Sequence, residues 1–145
     1  MAQQVFTVSS SLPIEEAFAR CLDLTRVSEW DRGVTNARLV AGTGDSVGSQ
    51  FEVTVTGFDG LPTPAVYELT EVEAPTRFVM RGTNDEIRAD DVLTFTATDV
   101  GCELVYDARL ELVGDDPPMT DEQLDALFAR VAAVPKAGLR TFLNP

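Results

Sequence analysis

The chain has 145 residues, long enough to bury a core without disulfides or a structural metal, and its length predicts one domain over residues 1–145. Its 11 Lys and Arg against 24 Asp and Glu leave a net charge of −13, a field that repels phosphate backbones and anionic lipid surfaces and so excludes nucleic acid as a partner. Histidine is absent, which removes Ser-His-Asp and Cys-His relays, a histidine general base and imidazole zinc sites, so any chemistry runs on carboxylates, Tyr, Lys, Arg, Cys or water.

The opening stretch QQVFTVSSS sets Val5 and Phe6 among polar residues and predicts a first strand. Pro13 stands where a helical turn begins, because its missing N–H costs nothing there, and Glu15 and Glu16 fall near the positive end of the helix dipole. Ile14, Ala17, Phe18, Cys21 and Leu22 keep helical spacing and form one apolar stripe. Asp23 is placed to cap a second short helix, LTRVSEW, whose Leu24, Val27 and Trp30 share a face.

From Gly33 to Val113 the period changes to two, and breaks at AGTGDSVG, GFDGLPTP, EAPT, GTNDEI and TDVGC delimit six strands. FEVTVTGF sets Phe51, Val53 and Val55 opposite Glu52, Thr54 and Thr56. ELVYDARLELV sets Leu104, Tyr106, Ala108, Leu110 and Leu112 opposite Glu103, Asp107, Arg109 and Glu111. One face is apolar and one wet, the pattern of an antiparallel sheet. After VGDDPP the helical period returns: Thr120 with Gln123 makes a capping box, and Met119 is placed to staple onto Leu124. Leu124, Leu127, Phe128, Val131, Val134, Gly138, Leu139 and Phe142 trace the apolar stripe, with a kink or break expected at Pro135, which removes a backbone hydrogen bond.

Other signals are weak. GTGDSVG lies between strands with no helix N-terminus to receive a phosphate, so it reads as a turn. Asp31, Asp45, Asp90, Asp91, Asp115 and Asp116 match no calcium loop and read as solvated acidic loops, so no metal is expected. Cys21 and Cys102 lack metal-ligand spacing and read as buried free thiols; a disulfide is not indicated. No basic segment followed by an apolar run opens the chain, and no stretch approaches the roughly 20 apolar residues of a membrane span. The expectation is a soluble, cytoplasmic protein without membrane insertion.

Order and local residues together resemble the helix-grip fold of the START-like, or SRPBCC, superfamily of polyketide cyclase/dehydrase and lipid-transport proteins. SLPIEEAF resembles its first-helix opening, DLTRVSEWDRGV its second helix, GDSVGSQFEV its second hairpin and YELTEVEAPTRFVMRG its central one. The resemblance implies an α+β fold in which a seven-stranded curved antiparallel sheet wraps a long C-terminal helix, with two short helices after the first strand. It also implies a cavity between sheet and helix. Pro75 would then occupy the turn of the central hairpin, with Glu71, Glu73, Arg77 and Arg81 on the wet face or near the turn.

The expected cavity wall comprises Phe51, Val53, Tyr67, Leu69, Phe78 and Met80 from the first strands, Phe95 and Tyr106 from the later ones, and Phe128, Val131 and Pro135 from the helix. Trp30 either closes the mouth over a ligand or anchors the second helix. Tyr67 and Tyr106 share phase with apolar neighbours, so each hydroxyl points inward, either to orient a ligand or donate a proton, or to reach backbone or water as a core tyrosine. Asp91 shares parity with Leu93 and Phe95 and aims at the cavity mouth, near Asn84 and Arg81, unless it is a surface residue beside the NDEIRADD turn. The resemblance implies binding of a hydrophobic small molecule of lipid, polyketide or isoprenoid type, without a cofactor, in a monomer or homodimer. Two alternatives stay open: a cyclase/dehydrase-like enzyme using Tyr67, Tyr106 and Asp91 without metal or histidine, and a protein-interaction module, which requires an exposed apolar patch.

Overall fold

The computed structural model describes residues 1–145. Strand β1 (Ala2–Ser10) leads into helix α1 (Ile14–Leu22) and a 3-10 helix (Leu24–Glu29). Strands β2 (Val34–Ala41), β3 (Gln50–Thr56), β4 (Pro62–Glu73), β5 (Arg77–Thr83), β6 (Ile87–Thr98) and β7 (Gly101–Leu112) follow, and helix α2 (Asp121–Phe142) completes the chain. All seven strands form one antiparallel sheet in the order β1-β7-β6-β5-β4-β3-β2. This is the expected helix grip: sequential hairpins build the sheet, and β1 closes onto β7 beside the last strand rather than the second.

Local chemistry explains the helices. Pro13 caps α1, its carbonyl accepting from the amides of Glu16 and Ala17, and Ala17, Phe18, Cys21 and Leu22 turn inward. Asp23 caps the next segment through Thr25 N–H, but that segment is a 3-10 helix of six residues, because the turn into β2 follows at once. Thr120 and Gln123 form the reciprocal capping box that opens α2.

The expected break at Pro135 does not occur: α2 runs from Asp121 through Pro135 to Phe142. Proline removes one helical bond, whereas several groups hold the far end in place. Ser10 Oγ donates to Leu143 O at 2.6 Å, Arg20 Nη1 donates to Phe142 O at 3.2 Å, and Asn144 bonds Ser9 O, Arg140 O and Ser11 N–H. Gly138 allows the tightest crossing, since a Cβ there would lie 1.9 Å from the carbonyl oxygen of Trp30.

Three local findings refine the strand pattern. β4 begins at Pro62 inside GFDGLPTP, with Pro62 opposite Thr56 and Pro64 opposite Thr54. A bulge at Thr70 between Leu69 and Glu71 resets the parity of β4, so that Leu69 and Val72 both face inward and Glu71 outward, where it pairs with Arg77 at 3.2 Å. Arg81 pairs with Asp90 at 2.7 Å on the same outer face, so it does not approach the cavity.

Candidate functional site

The inner face of the sheet is divided along the strands. At the end under α1 it is solid: Phe18 packs edge-on against Phe78 at 5.6 Å and Phe95 at 5.5 Å, and Phe78 and Phe95 stack at 6.3 Å. Leu69, Phe78 and Phe95 therefore belong to the packed core rather than to the wall of the cavity between sheet and α2, contrary to expectation. Alternation places them on this face, and the aromatic cluster with Phe18 decides their position along it.

At the other end the sheet stands off α2 and leaves a cavity of about 390 Å3. Its helical wall is wholly apolar: Leu127, Phe128, Val131, Ala132, Val134 and Pro135. Phe128 and Pro135 are buried, while Val131 is 49% exposed and sits at the mouth. The sheet contributes Val55 from β3, Tyr67 from β4, Ala89 and Asp91 from β6, and Tyr106, Ala108 and Leu110 from β7. A smaller space of about 40 Å3 adjoins the cavity, where Trp30, Val53 and Met80 meet Asp31, Tyr67, Asp91 and Tyr106.

Four polar side chains converge between these spaces. Asp91 on β6 lies opposite Ala108, so the next inward residue on β7, Tyr106, reaches it diagonally, and its hydroxyl donates to Asp91 Oδ2 at 2.8 Å. The Tyr106 ring is fixed by stacking on Phe6 at 4.9 Å and by the edge of Trp30 at 6.3 Å. Asp91 is 9% exposed, and its carboxyl is pushed up to about 7. Burial is the main cause, opposed by the Tyr106 hydrogen bond and reinforced by negative charge on Asp31, Asp90 and Asp107. Burial likewise raises the phenols of Tyr67 and Tyr106, with the charges of Asp91 and Asp31 adding to it. Tyr67 is only half-buried by area because its ring borders the cavity, yet the surrounding protein still disfavours its phenolate.

Asp31, read above as a solvated loop residue, is a part-buried member of this cluster. Its Oδ1 accepts from Gly33 N–H at 2.9 Å, and burial raises its carboxyl despite that bond. Nothing periodic marks it: it follows the 3-10 helix, and only the fold carries it to the cavity. Trp30 is 2% exposed and structural in its packing, but its indole Nε1 is the one buried side-chain polar atom without a partner. Asn84 also lines the cavity, but its side chain mainly ties the β5–β6 turn by accepting from Glu86 and Ile87 N–H.

Gly82 positions Tyr67. It pairs with Tyr67 across β4 and β5, and a Cβ at residue 82 would fall 2.3 Å from Tyr67 Cζ. Gly82→Ala is expected to displace the phenol at a cost of about 1–3 kcal/mol, because the obstacle is a side chain rather than backbone. Urea unfolding of Gly82→Ala, Tyr67→Ser and the double variant checks this: the cost at residue 82 largely disappears when Ser occupies residue 67, whereas additive effects contradict the contact.

A second concavity, larger but open, lies between α1, the β2–β3 loop and the β4–β5 turn, at about 640 Å3. Phe51, expected in the main cavity, borders this groove beside Phe18, Leu39 and Val72. Its acids Glu15, Asp23 and Asp45 are solvent-exposed and no buried polar pair meets there, so the enclosed cavity is the stronger chemical site.

The sequence matches, over residues 1–142, the family described as polyketide cyclase / dehydrase and lipid transport. A START superfamily protein from Mycobacterium smegmatis superposes with a TM-score of 0.79 at 12% identity, covering 98% of this chain and 95% of that one. The di-domain ARO/CYC StfQ from the steffimycin biosynthetic pathway gives 0.75 at 12% identity, covering 98% of this chain and 49% of that one. Ara h 8.0201 gives 0.68 at 16% identity, covering 97% of each. At these identities the likeness is one of fold. No curated protein matches the sequence.

Proposed function

Given that the chain belongs to the polyketide cyclase/dehydrase and lipid-transport family, we propose that it binds a hydrophobic small molecule in the cavity between sheet and α2, with the ligand's polar end at Asp91, Tyr106 and Tyr67. The observation that carries this reading is the cavity itself. Its volume of about 390 Å3 falls in the range of small-molecule sites, and apolar walls with a few convergent polar groups are the usual make-up of such a site. A solid interior would have left the Asp91–Tyr106 pair without a purpose, since burying a carboxyl costs stability.

One observation favours a second reading, acid–base catalysis. A carboxyl held near 7 exchanges its proton readily at neutral pH, and the Tyr67 phenol, which borders the same cavity, is available to donate to a developing enolate. In that reading Asp91 moves the proton, Tyr67 supplies the hydrogen bond, and Tyr106 holds Asp91 in place.

Native mass spectrometry of protein purified from its own host, with organic extraction of what accompanies it, tests the binding reading. A stoichiometric apolar compound is expected. Protein that emerges empty and then binds none of a panel of hydrophobic alcohols, ketones and amines would overturn it.

A further inference from the structure

We propose that the cavity is built for a hydrophobic amine, whose protonated nitrogen is the counter-charge that Asp91 and Asp31 lack within the protein. This rests on the cavity-binding reading above and adds the chemical class of the ligand's polar end.

The first ground is the lining. Neither the cavity nor the adjoining space contains a single Lys or Arg, while Asp31, Asp91 and Glu86 all border them. Every element around Asp91 points the same way: Asp31 follows the 3-10 helix, Tyr67 comes from β4, Glu86 from the β5–β6 turn, Tyr106 from β7, and α2 presents only apolar side chains. The chain's basic residues all lie outside this lining. Arg81 and Arg88 pair with Asp90 on the outer face, and the Arg20 and Arg26 guanidinium groups lie over the Phe142 ring.

The second ground is the geometry of Asp91. Tyr106 engages Oδ2, Oδ1 has no protein donor, and neither Asp91 nor Asp31 takes part in an ion pair. A buried carboxylate with a free oxygen is stabilised most by a cation brought into contact with it. The rings of Tyr67, Tyr106 and Phe128 border the same space, and their faces favour cations and disfavour anions. The third ground is long-range: at a net charge of −13 the whole molecule attracts cations and repels carboxylates and phosphates. A free fatty acid or other anionic lipid meets electrostatic opposition at every step, whereas a protonated alkyl or arylalkyl amine is attracted throughout, and contact with Asp91 offsets the desolvation of its nitrogen.

Isothermal titration at pH 7.5 with three probes of one shape, 2-naphthylmethylamine, 2-naphthylmethanol and 2-naphthoate, separates the possibilities. The amine is expected to bind roughly 30-fold or more tighter than the carboxylate, as expected for opposite rather than like charge at a desolvated site, with the alcohol between them. Asp91→Asn, which keeps the side-chain shape and an acceptor for Tyr106, is expected to cost the amine about tenfold while leaving the alcohol within about threefold. An alcohol that equals the amine, or a carboxylate that matches or exceeds it, overturns the amine inference and leaves the cavity reading standing. Failure of all three probes to bind overturns that reading and the inference with it.

Discussion

Asp91→Asn is expected to make the protein more stable at and above pH 7, and to remove most of the decline in stability that the parent shows between about pH 4 and pH 7. The folded carboxyl is pushed up to about 7 from an ordinary value of 3.8, so the native state holds its proton more tightly than the unfolded chain. The sign follows: stability contributed by this group is fully present below about 4, falls as pH rises through 7, and is level above that. About three pH units of displacement correspond to on the order of 4 kcal/mol. Asn carries no charge to desolvate and still accepts from the Tyr106 hydroxyl. Asp31 is displaced in the same direction and keeps a smaller slope in the variant, while exposed Glu29 is displaced downward and acts equally in both proteins. Urea unfolding of parent and variant at pH 5, 7 and 9 measures the difference. A variant no more stable than the parent at pH 9 would mean that Asp91 is ionised at little cost. A group that destabilises the fold under ordinary conditions, and is retained in a cavity, is of the kind that serves function.

Gly138→Ala is expected to destabilise the protein by about 3 kcal/mol or more, against the sign that helix propensity alone predicts. Alanine in place of glycine inside a helix is ordinarily favourable by about 1 kcal/mol. Here the added Cβ would lie 1.9 Å from Trp30 O, 2.6 Å from Trp30 C and 2.9 Å from Trp30 Cα, all backbone atoms that no rotamer change can move. Helix α2 must lift away from the end of the 3-10 helix, and overpacking of that kind costs several kcal/mol. The shift also carries Trp30 and Asp31 out of register with Tyr106 and Asp91, so ligand binding weakens with stability. Thermal and urea unfolding decide the matter; a neutral or stabilising substitution would contradict the close crossing.

Periodicity and cap chemistry made most of the fold legible in advance. Six strands after two short helical segments, the capping box at Thr120 and the inward phase of Tyr67, Asp91 and Tyr106 all follow from spacing in the sequence. Position along a strand does not. Leu69, Phe78 and Phe95 share the inner face with Tyr67 and Asp91, and only the ring of Phe18, delivered by α1, determines which end is filled. The bulge at Thr70 is equally silent, because one extra residue flips parity without altering composition, and it brings Val72 inward. Asp31 carries no mark in the sequence, because it sits in no periodic segment. Gly82 and Gly138 look like ordinary interior glycines until the side chain or backbone that crosses each is located. The continuity of α2 through Pro135 depends on Ser10, Arg20 and Asn144, tertiary partners that no local rule supplies.

Two concavities compete for the ligand, and intermolecular nuclear Overhauser effects between bound 2-naphthylmethanol and the protein's methyl groups distinguish them. Contacts to Ala89, Ala108, Leu110 and Ala132, beside the Asp91–Tyr106 pair, are the predicted result. Contacts to Leu22, Leu39 and Val72 instead would place the ligand in the open groove between α1, the β2–β3 loop and the β4–β5 turn and contradict a functional cavity between the sheet and the C-terminal helix.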